Sequence, residues 1–431
     1  MKPGRIFGAE KWLTEARFAA SAMRIYLEER RRGARPNLGR DTLRAEVEAQ
    51  KAFLKFMTGR KYAHFQGRTF FEMYLPSSPG PIFDRMVASK FLHVDEGKEE
   101  RFCSTVDLAI TDACMFRCEH CYASEALGKK NDLELDQWKA IIDGFQRHGA
   151  GVFTLVGGEP LLRFDDLLVL IAHAKEKSEL WLVTTGFGLT PSKARQLKDV
   201  GLTAAAISID HWDPSLHNQF RKSPKAFDEA AKAVALFGQA GVFPCLVATA
   251  TRGMTKDGGL MKLLELTHRL GAGFLQIFDP IATGAYIDRT DVRLSLAELE
   301  ELDRFMRMVN TEPQYRDLPP VTVRSSTEDS EAFGCGAGGN NFIHVDPHGN
   351  LLACPMLSMS TGNVVKDGFD VAMKRMREVF PHATAHGKEC PGNLLRDQIH
   401  EAKERTGQAV LPYEETLRIA QHFRTTPKPL L

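Results

Sequence analysis

Hydrophobic positions along this chain follow two rhythms in succession. In the first hundred residues they recur at three-and-four spacing, so that Trp12, Leu13, Ala16, Ala19, Ala20, Met23, Tyr26 and Leu27 fall on one helix face. The basic run Arg30-Arg31-Arg32 to Arg35 ends that helix, Pro36 and Gly39 break the chain, and a second helical stretch is expected from Thr42 to Met57. This reads as a helical N-terminal extension packed on the main domain, with a helix for a membrane surface or an anionic partner as the alternative. Leu75-Pro76-Ser77-Ser78-Pro79-Gly80-Pro81 reads as a linker, and the first domain is set at residues 1–100.

From about residue 104 short apolar strands alternate with amphipathic helices. Strands are expected at Val106–Ile110, Val152–Val156, Leu180–Thr184, Ala204–Ile209, Phe243–Ala248 and Phe274–Phe278. Thr190-Pro191 and Ser223-Pro224 each place a capping residue before a proline that opens a helix, and Gly201, Gly241 and Gly271 follow helix ends. Six consecutive right-handed βα units predict an α/β fold, a partial (βα)6 TIM-like barrel over residues 101–290 with its chemistry on the loops after the strand C-termini. Beyond Pro280 the rhythm changes to α+β. Ser295-Leu-Ala-Glu298 is a capping box, Phe342–Val345 and Leu351–Ala353 flank a turn at Asp346–Asn350, and helices are expected near 369–379 and 395–405, in a small domain of residues 291–431.

Composition narrows the function classes. The 431 residues carry 56 basic and 55 acidic side chains, a net charge of +1 that gives no global case for nucleic-acid binding. No run of eighteen apolar residues occurs, and the charged start Met1-Lys2-Pro3-Gly4-Arg5 is unlike a signal peptide, so a soluble, cytoplasmic protein is expected. Eight cysteines are too few for a disulfide scaffold, and their clustering points to metal in a reducing compartment.

Cys114-Met-Phe-Arg-Cys118-Glu-His-Cys121 lies in the loop after the first barrel strand. Three thiolates at these spacings hold three irons of a 4Fe-4S cube and leave the fourth open as a reaction site. A zinc site with His120 as fourth ligand, or merely buried thiols, is the competing reading. Followed by the aromatic Tyr122, this C-x3-C-x2-C motif resembles the radical S-adenosylmethionine (SAM) superfamily over roughly residues 104–280. Gly157-Gly158-Glu159-Pro160 after the second strand resembles the family's GGEP segment, which implies contact with the SAM amino group. Ser208 and Asp210 at the end of the fourth strand resemble the residues that meet the ribose hydroxyls. Thr185-Gly186 stands where the family has Asn-Gly after a threonine, and Arg221, four residues after His217, resembles a group reaching the SAM carboxylate.

The resemblance implies that SAM binds the open iron and is cleaved reductively to methionine and a 5′-deoxyadenosyl radical, which takes hydrogen from an unactivated carbon. It also implies a reduced flavodoxin- or ferredoxin-type electron donor. Cys335, then Gly349 separated by four residues from Cys354, and finally Cys390 resemble the SPASM and twitch modules that follow such barrels. They imply a probable auxiliary 4Fe-4S cluster on three cysteines, with an open iron or a non-cysteine ligand such as histidine in fourth place. Cys245 is expected in the core or as a hydrogen donor, and Cys103 fits neither set. Thr251, Arg252, Gln276, Asp279 and Tyr286 are candidates for the substrate pocket by position.

The expected protein is therefore a radical SAM enzyme with an auxiliary cluster, acting on a small-molecule or lipid-like substrate, with peripheral membrane contact through the N-terminal helix. Peptide modification is the runner-up, set lower because the N-terminus reads as lacking the strands of a peptide-recognition domain. A non-catalytic iron–sulfur or zinc protein is the alternative of another class.

Overall fold

The computed structural model describes residues 2–8, 10–12, 14–15, 60–91, 105–128, 133–256, 258–328, 335–339, 342–381 and 388–421. Three short strands come first, β1 (Gly4–Ile6), β2 (Tyr62–Phe65) and β3 (Arg68–Phe70). The barrel strands follow as β4 (Thr105–Ala109), β5 (Val152–Val156), β6 (Glu179–Thr184), β7 (Ala204–Ser208), β8 (Phe243–Thr249) and β9 (Leu275–Phe278). These are the six expected strands, each within two residues of its predicted bounds. All six pair in parallel in sequence order, with a helix in each connection; between β4 and β5 the helix Leu135–Arg147 follows the cysteine loop.

Alternation along each strand explains why the sheet has two apolar faces. Phe153, Leu155, Leu182, Ile207 and Leu246 point outward into the core shared with the helices. Val152, Trp181, Ala206, Phe243 and Val247 point inward into a second core. The helices end as the sequence indicates: Thr190 caps Pro191–Val200 through the Lys193 amide, and Gly201, Gly241 and Gly271 adopt the left-handed caps. Ser223-Pro224 does not open a helix. A separate helix Pro214–Arg221, capped by Asp213, occupies this loop, and the next begins at Ala226.

The expectation of a purely helical N-terminus needs correction. β1, β2 and β3 form a three-stranded antiparallel sheet whose Ala63, Phe65, Phe70 and Met73 close the inner core of the barrel. Phe70 stacks on Phe243 with nearly parallel rings whose centroids are 3.9 Å apart. The stretch 75–81 is not a free linker either. Ser77 and Arg68 hold the buried Glu179 carboxylate, and the Ser78 backbone pairs with Thr69. Three separate residues near the strands hide polar groups here with their partners, which is how a loop becomes part of a core. The expected helical stretches at 16–27 and 42–57 lie outside the described residues, as does Cys103; Trp12, on the same expected face, is 68% exposed.

The sheet also passes the expected boundary at residue 290. β10 (Val321–Val323) adds in parallel beside β9, and β11 (Phe342–Val345) adds in parallel beside β4, so the barrel is extended by one strand at each edge. β11 turns into β12 (Asn350–Cys354) at the predicted hairpin, and β13 (Leu357–Asn363) completes the edge. The helices Leu296–Thr311, with its Ser295/Glu298 capping box, Phe369–Val379 and Arg396–Thr406 lie where the sequence puts them.

Candidate active site between two cysteine triads

The loop after β4 carries Cys114, Cys118 and Cys121 into the mouth of a cavity of about 240 Å³, which all three line. The loop is held from two sides. Gly158 and Glu159 donate their amides to the carbonyls of Thr111 and Ala113, at 2.7 and 2.8 Å. A Cβ on Gly157 would stand 2.4 Å from the Thr111 oxygen, and one on Gly158 2.3 Å from that of Ala113, so only glycine lets these loops approach. On the other side Glu119 bonds the Phe220 carbonyl, and the His120 ring stacks on Phe220 at 4.8 Å. Burial holds His120 neutral, lowering its pKa to about 4.

Burial also pushes the three thiols up, Cys121 to about 11. A neutral buried thiol is a poor nucleophile, and it is metal binding that removes such a proton. The Phe116 amide points at Cys114 Sγ from 3.4 Å, and Arg221 Nη1 approaches Cys118 Sγ at 3.7 Å. Amides aimed at sulfur and a nearby cation favour the thiolate form that an iron–sulfur cube requires.

Gly157, Gly158, Thr184, Thr185, Ser208, Asp210, Arg221 and Tyr122 line the same cavity as the cysteines. Glu159 and Pro160 do not line it. The fully buried Glu159 carboxylate accepts from Thr184 Oγ1, Thr185 N, Thr185 Oγ1 and Leu161 N, at 2.5–3.0 Å. With these four donors it locks the loop after β6 to the loop after β5. Asp210 and Arg221 are likewise engaged with each other. Arg221 Nε lies 2.6 Å from Asp210 Oδ2, while Thr249 N donates to Oδ1 and Asp210 N to His217 Nδ1. Burial raises the Asp210 carboxyl, but the Arg221 charge outweighs it and leaves the group below the ordinary range.

Of the residues offered by position, Asp279 and Tyr286 line the cavity, whereas Thr251, Arg252 and Gln276 do not. Gln276 Oε1 is taken by Thr322, and Arg252 is exposed against Glu298. Cys245 packs in the inner core with Trp181 and Phe243 and does not reach the cavity. The sequence did not single out Met73 and Tyr74, brought in by the N-terminal segment, or Asp107 and Thr154 on adjacent strands. Asp107 and Thr154 are buried opposite each other on β4 and β5, and burial raises the Asp107 carboxyl to about 8 although a Thr154 side-chain hydrogen bond works to lower it. A charged residue in the middle of a barrel strand was the available signal.

Pro355 and Met356 form part of the opposite wall, directly after Cys354. Cys354, Cys335 and Cys390 act on one another electrostatically, although they come from β12, a single-residue bridge and the start of the helix Pro391–Leu394. The amide two residues on points at the sulfur of Cys354 and of Cys390, both at 3.4 Å. Cys335 receives its bond from Ala337 in the same way. Cys245 has no such amide among its influences, and burial alone raises it. Among the described residues no three His, Cys, Asp or Glu side chains sit at the spacing of one bound ion; a four-iron cube spreads its ligands farther apart. Every described cysteine is free of disulfides.

Comparison with known proteins joins these observations. Residues 108–262, which contain the first triad, the glycine pair, Asp210 and Arg221, match the Radical SAM superfamily. These residues form a radical SAM domain. Among its relatives, the AdoMet-dependent heme synthase of Nitratidesulfovibrio vulgaris is 28% identical over 283 residues, 61% of this chain and 76% of that protein. The GTP 3′,8-cyclase of Rhizobium etli is 30% identical over 218 residues, 48% of this chain and 61% of that one. Streptococcus suis SuiB bound to S-adenosylmethionine aligns with a TM-score of 0.54 at 16% identity, over 69% of this chain and 74% of that chain, a likeness of fold. The radical SAM chain is thus an enzyme built on the partial barrel. No described helix is long and apolar enough to cross a membrane.

Proposed function

We propose that this radical SAM enzyme holds a SAM-binding 4Fe-4S cluster on Cys114, Cys118 and Cys121 and an auxiliary 4Fe-4S cluster on Cys335, Cys354 and Cys390. Its substrate is a small or lipid-like molecule that lies in the cavity between them and gives up hydrogen from an unactivated C–H bond. The observation that carries this reading is a cavity lined by all three cysteines of the first triad and by Pro355 and Met356, which directly follow Cys354 of the second. When bound, the first cluster supplies one electron to SAM, giving methionine and a 5′-deoxyadenosyl radical that becomes 5′-deoxyadenosine on taking hydrogen.

The residues of the chain bind, orient and exclude water. Gly157 and Gly158 line the space for the methionine moiety, and Ser208 offers a hydroxyl to the nucleoside at the end of β7. Arg221, with Asp210 neutralising it in part, presents positive charge to the carboxylate of SAM. Met73, Val183, Val247, Phe278, Ile281 and Met356 surround the remaining space with apolar surface, which keeps water from a reactive carbon radical. The apolar lining favours a small or lipid-like molecule, and the names of the heme synthase and GTP cyclase relatives support a small one.

The test is anaerobic incubation of the reduced protein with SAM, by dithionite or by reduced flavodoxin or ferredoxin, with 5′-deoxyadenosine measured by chromatography. The reading expects formation in the native chain and none in Cys118→Ala. Formation that survives the substitution contradicts it. An increase on adding peptides rather than small molecules would replace the substrate class with peptide modification.

A further inference from the structure

Among the described residues three carboxylates line the cavity, and two of them are already paired. Asp210 Oδ2 lies 2.6 Å from Arg221 Nε, and Arg324 grips both oxygens of Asp279 at 2.8 and 2.5 Å. The third is Asp107. We infer, resting on the function proposed above, that Asp107 anchors a basic nitrogen of the substrate, so that the molecule taken into this cavity carries a protonated amine.

Alternation along β4 turns this carboxyl into the barrel. Val106 and Leu108 pack in the outer core with the helices, and Asp107 between them faces the other way, where it lines the cavity. Thr154, opposite it on β5, is placed in the same manner between Phe153 and Leu155. The pair sits two residues below the strand ends Ala109 and Val156, about 7 Å deeper than the start of the loops that carry the cysteines and the glycine pair. Tyr74 reaches the same depth, because the Thr105 hydroxyl donates to its carbonyl at 2.9 Å.

Among the described residues nothing on the neighbouring elements neutralises Asp107. Arg221 is the lone arginine or lysine lining the cavity, and it serves Asp210. His344, opposite Asp107 on β11, stands edge-on to Tyr122 and is kept neutral by burial, which lowers its pKa to about 3. Burial pushes the phenols of Tyr74 and Tyr122 up, so neither carries charge. The Thr154 hydroxyl eases the carboxylate, yet burial still takes the Asp107 carboxyl to about 8. A buried carboxyl kept protonated for want of a cation ionises when a cation arrives, and an ammonium group supplies both the charge and charge-assisted hydrogen bonds. At neutral pH the carboxyl then releases its proton to solvent while the ammonium keeps its own. An anion at this depth would find no positive charge.

The experiment uses the full chain reconstituted anaerobically with iron and sulfide and saturated with SAM without reductant, so that the cofactor fills its own part of the cavity. Isothermal titration calorimetry measures binding of butylamine, butan-1-ol and butyrate, which are alike in size and carry cationic, neutral and anionic heads. Butylamine should bind about tenfold tighter than either of the others at pH 9. It should also bind about tenfold tighter at pH 9 than at pH 7, because the ionised fraction of a carboxyl titrating near 8 rises by that factor while the amine stays protonated. Asp107→Asn should abolish both the preference and its pH dependence. The pH comparison needs no variant, so it decides the matter even where Asp107→Asn fails to fold. Amine binding no tighter than that of the alcohol, or equally tight at the two pH values, overturns the assignment. So does an amine preference that appears only without SAM, which would give Asp107 to the cofactor's own ammonium group. The same preparation is then reduced and assayed for 5′-deoxyadenosine. Formation without any amine preference removes the anchor and leaves the proposed function, whereas no formation removes the function on which the anchor rests.

Discussion

Asp210 and Arg221 show how much of this site a residue list conveys and where it stops. The sequence places both near the cofactor, but not against each other, because the contact closes across the helix Pro214–Arg221, which has no counterpart in the six-unit pattern. Arg221→Met should destabilise the protein by about 3–5 kcal/mol, since it leaves a buried carboxylate without its partner. Adding Asp210→Asn should recover most of that loss, and urea unfolding of the four proteins in a double-mutant cycle measures it. Asp107 is the reverse case, a buried acid whose charge is eased by the Thr154 hydrogen bond and by no cation. Its folded pKa of about 8 lies above the unfolded value near 4, so the folded state keeps a proton that the unfolded chain releases, and stability falls as pH rises through that window. Asp107→Asn should therefore gain more thermal stability over the parent at pH 8 than at pH 5, and equal gains at the two pH values would refute the assignment. Glu159 was legible as a functional position but not in its role. Nothing local in Gly-Gly-Glu-Pro shows that Thr184 and Thr185 reach back to fill its carboxylate.

At the scale of elements, the sequence reveals what is local. Capping residues and alternation are written within each strand or helix, which is why the six barrel strands, the Ser295 capping box and the hairpin at Asp346–Asn350 were readable. The N-terminal sheet was missed because its strands are three or four residues long, too short for a period to emerge, and β1 pairs with β2 across more than fifty residues. Phe70 shows its importance: Phe70→Ala removes the stacked ring from the barrel floor and should cost about 3–5 kcal/mol, seen as a lower urea midpoint with an unchanged slope. The close approach of the loops after β4 and β5 is also an element property. Gly158→Ala drives a methyl group into the Ala113 carbonyl beside Cys114, and the purified protein should carry markedly less iron than the parent. Iron content equal to the parent would show that the cysteine loop tolerates the displacement.

Across the whole molecule the barrel sheet carries the chemistry and the rest completes it. The N-terminal segment closes the floor and contributes Met73 and Tyr74 to the cavity, while β10 and β11 extend the two edges and lead to the second triad. Parallel pairing of Phe342 with Thr105 joins residues far apart in the chain, and such contacts leave no mark in either segment alone. The two cysteine triads were singled out in the sequence by motif spacing, which is legible without the fold, and the structure lines the cavity with the three residues of the first. The most direct test of the account is a count of iron and acid-labile sulfide per chain in anaerobically reconstituted protein, in the parent and with either triad changed to alanine. About eight irons in the parent and about four in each triple variant are the predicted result. A parent with about four irons that are unaffected by loss of Cys335, Cys354 and Cys390, or zinc in place of iron, would contradict it.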